Sequence, residues 1–139
     1  MTVNISLVAR NIACTSIISL IDQGTTLPNG YLQIRSGTKP PSPQAAPTDG
    51  LLLATLSFSN PAFGPVNNGT TTANTISSDT NIDNTGQASW FRIYNRDSGA
   101  VMDGSITATG GGGDLEFDFI DFVKGGTVNI LSLTATMPQ

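Results

Sequence analysis

Few side chains in this chain are equipped for chemistry, and their spacing limits what they can do. Glu116 and Asp118 stand two residues apart in the stretch 114–122, Asp-Leu-Glu-Phe-Asp-Phe-Ile-Asp-Phe. On an extended backbone that spacing puts both carboxylates on one face. Such a pair is able to hold a divalent cation or to act as acid and base. The chain contains no His, which removes the commonest general base and the commonest metal ligand together. A solvated strand face is therefore the expected reading of Glu116 and Asp118. The single Cys14 can form neither an intrachain disulfide nor a zinc site, and it reads as a small buried thiol. The glycine run 110–113 lacks the following Lys-Ser/Thr and helix of a phosphate loop, so a mobile turn is expected. No nucleophile is paired with a base. The expectation is a protein that is not an enzyme and that holds no cofactor or metal.

The aromatic residues are the other candidates. Trp90, Tyr94 and Tyr31 would serve as stacking platforms for a carbohydrate if they were exposed. Trp90, however, sits mid-strand in the best-marked hairpin of the chain, residues 87–107. Ser89, Phe91 and Ile93 alternate there with Trp90, Arg92 and Tyr94, and Arg96-Asp97-Ser98-Gly99 supplies the turn. A core or interface role suits Trp90 better than a sugar platform. The expected interface set is Trp90 and Tyr94 together with Lys39, Pro40, Pro41, Pro43 and Pro47 of the loop 37–50.

The remaining elements must support that hairpin. Ser6 is placed to cap a helix over 7–23, with Ala9, Ala13, Cys14, Ile17, Leu20 and Ile21 on one side and Asn11, Thr15, Ser19, Asp22 and Gln23 on the other. That helix closes one side of the core or packs on a neighbouring subunit. Gly24 takes the left-handed position after it. Strands are expected over 31–36, 51–59, 72–76, 114–122 and 127–136, in addition to the hairpin. Leu115, Phe117 and Phe119 point inward, and 127–136 crosses the whole sheet. Four prolines exclude regular structure from 37–50, which reads as an extended surface loop. The fold class is mainly β: a β-sandwich or jelly-roll-like domain of seven to eight strands with one N-terminal amphipathic helix. Residues 1–139 form a single domain.

Composition narrows the partners. Charged residues make up only 12% of the chain against 38% hydrophobic, so it folds rather than remaining disordered. The net charge of −4 and scattered basic residues argue against nucleic acid. No apolar run is long enough to span a membrane, and no secretory signal pattern opens the chain. Synthesis in a cytoplasm is the simplest expectation.

Several stretches together resemble a family of small tailed-bacteriophage virion proteins. The likeness runs through Arg10-Asn11 and Ile21-Asp22-Gln23-Gly24, then through 31–43, 51–56 and 59–64. It continues in Ala88-Ser89-Trp90-Phe91-Arg92, Met102-Asp103-Gly104-Ser105 and the segment 125–138. It covers most of the chain outside 66–84. The resemblance implies a virion component, assembled in the host bacterial cytoplasm, and does not choose between head and tail.

On this reading the first expectation is a capsid decoration (cement) protein bound to the major capsid protein lattice. The alternatives are a tail, neck or collar component, or a carbohydrate-binding module of a host-recognition device. A homo-oligomer is expected, or a protomer that orders fully only on the lattice. Residues 37–50 and 66–86 carry too little apolar surface to offset their backbone entropy alone.

Overall fold

The computed structural model describes residues 3–138. The domain is mainly β, with nine strands and one N-terminal helix among the described residues, and its principal sheet curls into half of a barrel. Helix α1 (Leu7–Ser19) starts where Ser6 accepts a hydrogen bond from the Ala9 N–H at 3.2 Å. A 3-10 turn (Leu20–Asp22) and Gly24, at φ +119°, release the chain toward β1 (Tyr31–Arg35). There follow β2 (Leu52–Ser57), β3 (Thr70–Thr72), β4 (Gly86–Gln87), β5 (Trp90–Tyr94), β6 (Ala100–Ala108), β7 (Leu115–Phe117), β8 (Asp121–Phe122) and β9 (Thr134–Thr136).

The principal sheet has the order β2-β1-β5-β6-β7. Its antiparallel register pairs Ile34 with Phe91 and Leu32 with Ile93, while Arg35 lies opposite Trp90 and Gln33 opposite Arg92. Period-2 alternation therefore sorts the sheet into two faces. The inner face carries Leu32, Ile34, Phe91, Ile93 and Ile106. It packs against Ile18 and Ile21 of the helical segment and against Phe58, Phe63, Ile76, Ile82, Val128 and Leu133 from the loops. Gly104 is buried opposite Phe91, where a Cβ would collide with the aromatic ring.

β6 and β7 run parallel although only residues 109–114 join them. Parallel neighbours ordinarily need a much longer crossover. The glycine run makes the short path possible. Gly110 and Gly112 have positive φ, and Gly111 and Gly113 pass so close to Thr107 that a side chain would clash. The run expected as a turn forms the crossover between two parallel strands.

Four expectations about elements are corrected. The helix buries Cys14, Ile18 and Ile21, while Ile17 and Leu20 are exposed and Asn11 is half-buried. Apolar residues surround much of α1, so periodicity could not single out the inward stripe. The stretch 114–122 breaks into β7 and β8, and Phe119 points outward rather than inward. The stretch 127–136 does not cross the sheet. Val128 makes a lone bridge with Asp79, and only β9 pairs, with β3. The strand expected at 72–76 lies at 70–72.

Candidate functional site

The outer face of the sheet holds most of the candidate residues. Trp90 is 1% exposed. Its indole Nε1 donates to the Ser36 carbonyl at 3.2 Å. The Arg92 guanidinium stands 5.2 Å from the ring centroid and that of Arg35 5.9 Å, both within cation–π range. Arg92 and Asp103 face each other across β5 and β6 and form a two-pronged ion pair, Nε to Oδ1 at 2.6 Å and Nη2 to Oδ2 at 2.9 Å. The hydrogen bonds to Asp103 hold Arg92 above its ordinary pKa, so it keeps its charge under the loop.

The loop 37–50 supplies the cover. Arg92 Nη1 donates to the Ala45 carbonyl at 2.9 Å and Nη2 to the Ser42 carbonyl at 3.2 Å. Asp49 clamps the loop's two ends by accepting from the Thr38 N–H and hydroxyl. Ser89 Oγ donates to the Gly37 carbonyl at 2.6 Å. Pro40 is buried, Pro43 and Pro47 are half-buried, and Lys39 and Pro41 are exposed. These contacts bear on two expectations. Beside the expected hold by a neighbour, the loop has contacts within its own chain: Arg92 ties it to the sheet, and Asp49 ties its two ends to each other. Trp90 offers no surface to a partner, because it is 1% exposed within its own chain.

Tyr94 lies at the far end of this face, half-buried and stacked on Tyr31, with ring centroids 4.9 Å apart and planes 15° apart. The Tyr31 hydroxyl donates to Ser98 Oγ at 2.9 Å. Rings stacked on each other use one face apiece internally, which halves what they offer to a sugar.

The carboxylates act as staples. Asp22 accepts from the Ala62 N–H, Asp79 from Thr55, Asp114 from Ser105, and Asp97 from both Thr25 and Thr26. Glu116 accepts from the Gly110 N–H and Asp118 from the Thr109 hydroxyl at 2.9 Å, so the two acidic residues pin the glycine crossover. The backbone bonds from Thr25 and Thr26 hold Asp97 below the usual carboxylate range. Burial pushes the Cys14 thiol up, which suppresses its nucleophilic thiolate. Among the described residues, no three His, Cys, Asp or Glu side chains gather as a metal site would require.

What sequence reasoning missed is apolar surface. Val8 is 69% and Ile12 61% exposed on one side of α1, with Ile5 and Leu7 also exposed nearby. Elsewhere on the helix surface, Arg10 donates to the Met137 carbonyl at 3.0 Å, and Asn11 accepts from the Gly69 N–H at 2.7 Å. The signal lay in the helix composition: apolar residues at positions 7, 8, 12, 17, 18, 20 and 21 cannot share one face. No protein family, curated protein or solved structure is matched by the chain.

Proposed function

We propose that this chain is a non-enzymatic structural protein of a bacteriophage virion, placed on the capsid as a decoration protein bound to the major capsid protein. The observation that carries the assembly role is the second apolar side of α1. One side, through Cys14 and Ile18, is buried in the domain; the other, through Val8 and Ile12, is left to water. A helix apolar on both sides is stable in a crowded assembly and unfavourable alone. The placement in a virion rests on the likeness of the chain's turn and strand residues to small tailed-phage virion proteins. Decoration is favoured over enzymatic work because the carboxylates are engaged in holding turns and Cys14 is buried. The carbohydrate-binding alternative is weaker, since Trp90 is sealed and Tyr31 and Tyr94 stack on each other. Packing of copies side by side, as a homo-oligomer or on the lattice, belongs to the same proposal.

The test is to locate the tagged protein on virions by cryo-electron microscopy and to repeat the experiment with Val8→Asp and Ile12→Asp. Regularly spaced copies on the head are expected. The variants should fold, since both side chains are exposed, yet fail to stay on particles. Location confined to the tail would replace decoration by the tail reading, and absence from particles would overturn both.

A further inference from the structure

The curled sheet ends at β7, whose outer edge pairs with no other strand among the described residues. Beyond β7 the backbone of residues 118–119 has no hydrogen-bond partner among the described residues. Across a cleft of about 710 Å³ runs the segment 129–132, whose backbone groups are likewise unpaired among the described residues. Alternation holds over its first half, where buried Val128 and Ile130 flank outward Asn129 and Leu131, before exposed Ser132 breaks it. Two backbone stretches without a ladder among the described residues thus line one cleft. Unpaired backbone groups of this kind are a template for an added strand. The most exposed large apolar side chains in the domain stand at the same place: Leu131 at 97% and Phe119 at 82%, with Val123 beside them.

Charge selects the occupant. Glu116, Asp118 and Asp121 line the cleft, and no Lys or Arg does. A second copy would bring the same three carboxylates to the same edge, and like charges facing across strands are unfavourable. We propose that this cleft receives an extended segment of a partner protein, apolar at alternate positions and interspersed with Lys or Arg, which pairs with the free backbone as an added strand. Its apolar side chains cover Phe119 and Leu131, and its cationic ones meet the acidic rim. The proposal stands independently of whether the protein resides on a capsid.

The probe is the peptide acetyl-Lys-Val-Lys-Val-Lys-Val-Lys-amide, added to the full chain and followed by amide hydrogen exchange. Slower exchange at 118–119 and 129–132 is expected. The same peptide with Glu in place of Lys, and a Lys peptide N-methylated at alternate residues, should give no slowing. Leu131→Ser and Phe119→Ser should keep the wild-type thermal midpoint and lose the effect. Absence of slowing with the Lys peptide, or equal slowing with the Glu peptide, overturns the proposal. So does self-association of the chain that Leu131→Ser abolishes, which would make the occupant a second copy.

Discussion

The inner face of the sheet buries Leu32, Ile34, Phe91 and Ile93 against side chains from the helix and from several loops, whereas the outer face buries Trp90 beside two guanidinium groups and Arg92 against the loop 37–50. The inner cover is apolar and non-directional, so its strength follows the area removed from water. The outer cover is polar and directional: an ion pair, an indole donor and carbonyls of a proline-rich segment. Such a cover is sensitive to the loss of a partner, because a buried charge left without one is costly, although the buried Arg35 Nε finds no acceptor among the described residues. The contrast explains why 37–50 is ordered despite its composition. It buries little apolar surface of its own, but four prolines limit what its backbone loses on ordering, and Arg92 reaches two of its carbonyls.

Removing one large ring from each face separates the two modes and should have the largest effects. Phe91→Ala should lower stability by about 3–5 kcal/mol, as for other aromatic truncations in cores, and weaken amide protection throughout the domain. Trp90→Ala should cost about 3 kcal/mol, with the loss concentrated in 37–50. Denaturant melts combined with native-state hydrogen exchange measure both. A Trp90→Ala variant that leaves 37–50 fully protected would mean that the Asp49 clamp alone holds the loop, and the contrast between the faces would shrink to one of composition.

Much of this contrast is legible in the residues themselves, and the rest is hidden for physical reasons. Strict alternation in 90–94 assigns Phe91 and Ile93 to one face and Trp90 and Arg92 to the other, and the sheet keeps that assignment. Ser6 announces the helix start because a hydroxyl at that position has one obvious donor to accept from. The inward stripe of α1 is not legible, since apolar residues occupy more than one side. The two C-terminal stretches read as full strands and are not. Alternation reports a suitable side-chain pattern, but a ladder also needs a backbone partner, which residues 129–132 lack among the described residues. Pairing of Arg92 with Asp103 requires knowing the hairpin register, and the bulge between Ile93 and Tyr94 shifts it in a way no turn residue reveals. The glycine run reads only as a turn because glycine permits many paths, and the close approach of Gly111 and Gly113 to Thr107 is visible only once the strands are in place.

The next effect in size tests the charge on the outer face. Asp103→Leu strands Arg92 beneath the loop and should cost about 3 kcal/mol, since breaking a buried pair leaves an uncompensated charge. The double variant Arg92→Met/Asp103→Leu should lose less than Asp103→Leu alone, because no charge is then left unpaired. Chemical denaturation of the two single variants and the double gives the coupling directly. A near-neutral Asp103→Leu would show that Arg92 reaches water and that the loop does not seal this face.

The smallest effect concerns a contact that belongs to neither core. Asp97, on the hairpin turn, accepts from Thr25 N at 2.8 Å and Thr26 N at 2.9 Å, tying the helix exit to the turn without burying either partner. Gly24 is what lets the two approach, because a Cβ there would stand 2.7 Å from the Asp97 carboxyl carbon. These backbone bonds favour the ionised carboxylate, so its pKa in the folded chain lies below the unfolded value of about 3.9. A carboxylate depressed in this way contributes its stability above the unfolded value and loses it as pH falls through the lower, folded value. The stability difference between wild type and Asp97→Asn should therefore be steady at neutral pH and shrink on acidification below about pH 4. The Thr25 and Thr26 amide resonances should titrate in the same window and lose that titration in Asp97→Asn. Gly24→Ala should weaken the same two bonds at every pH by displacing the carboxylate, while leaving protection of Phe91 and Trp90 unchanged. If Gly24→Ala also loosens 37–50, the turn and the outer face are one cooperative unit, and the division between a directional cover and its surroundings would have to be drawn more widely.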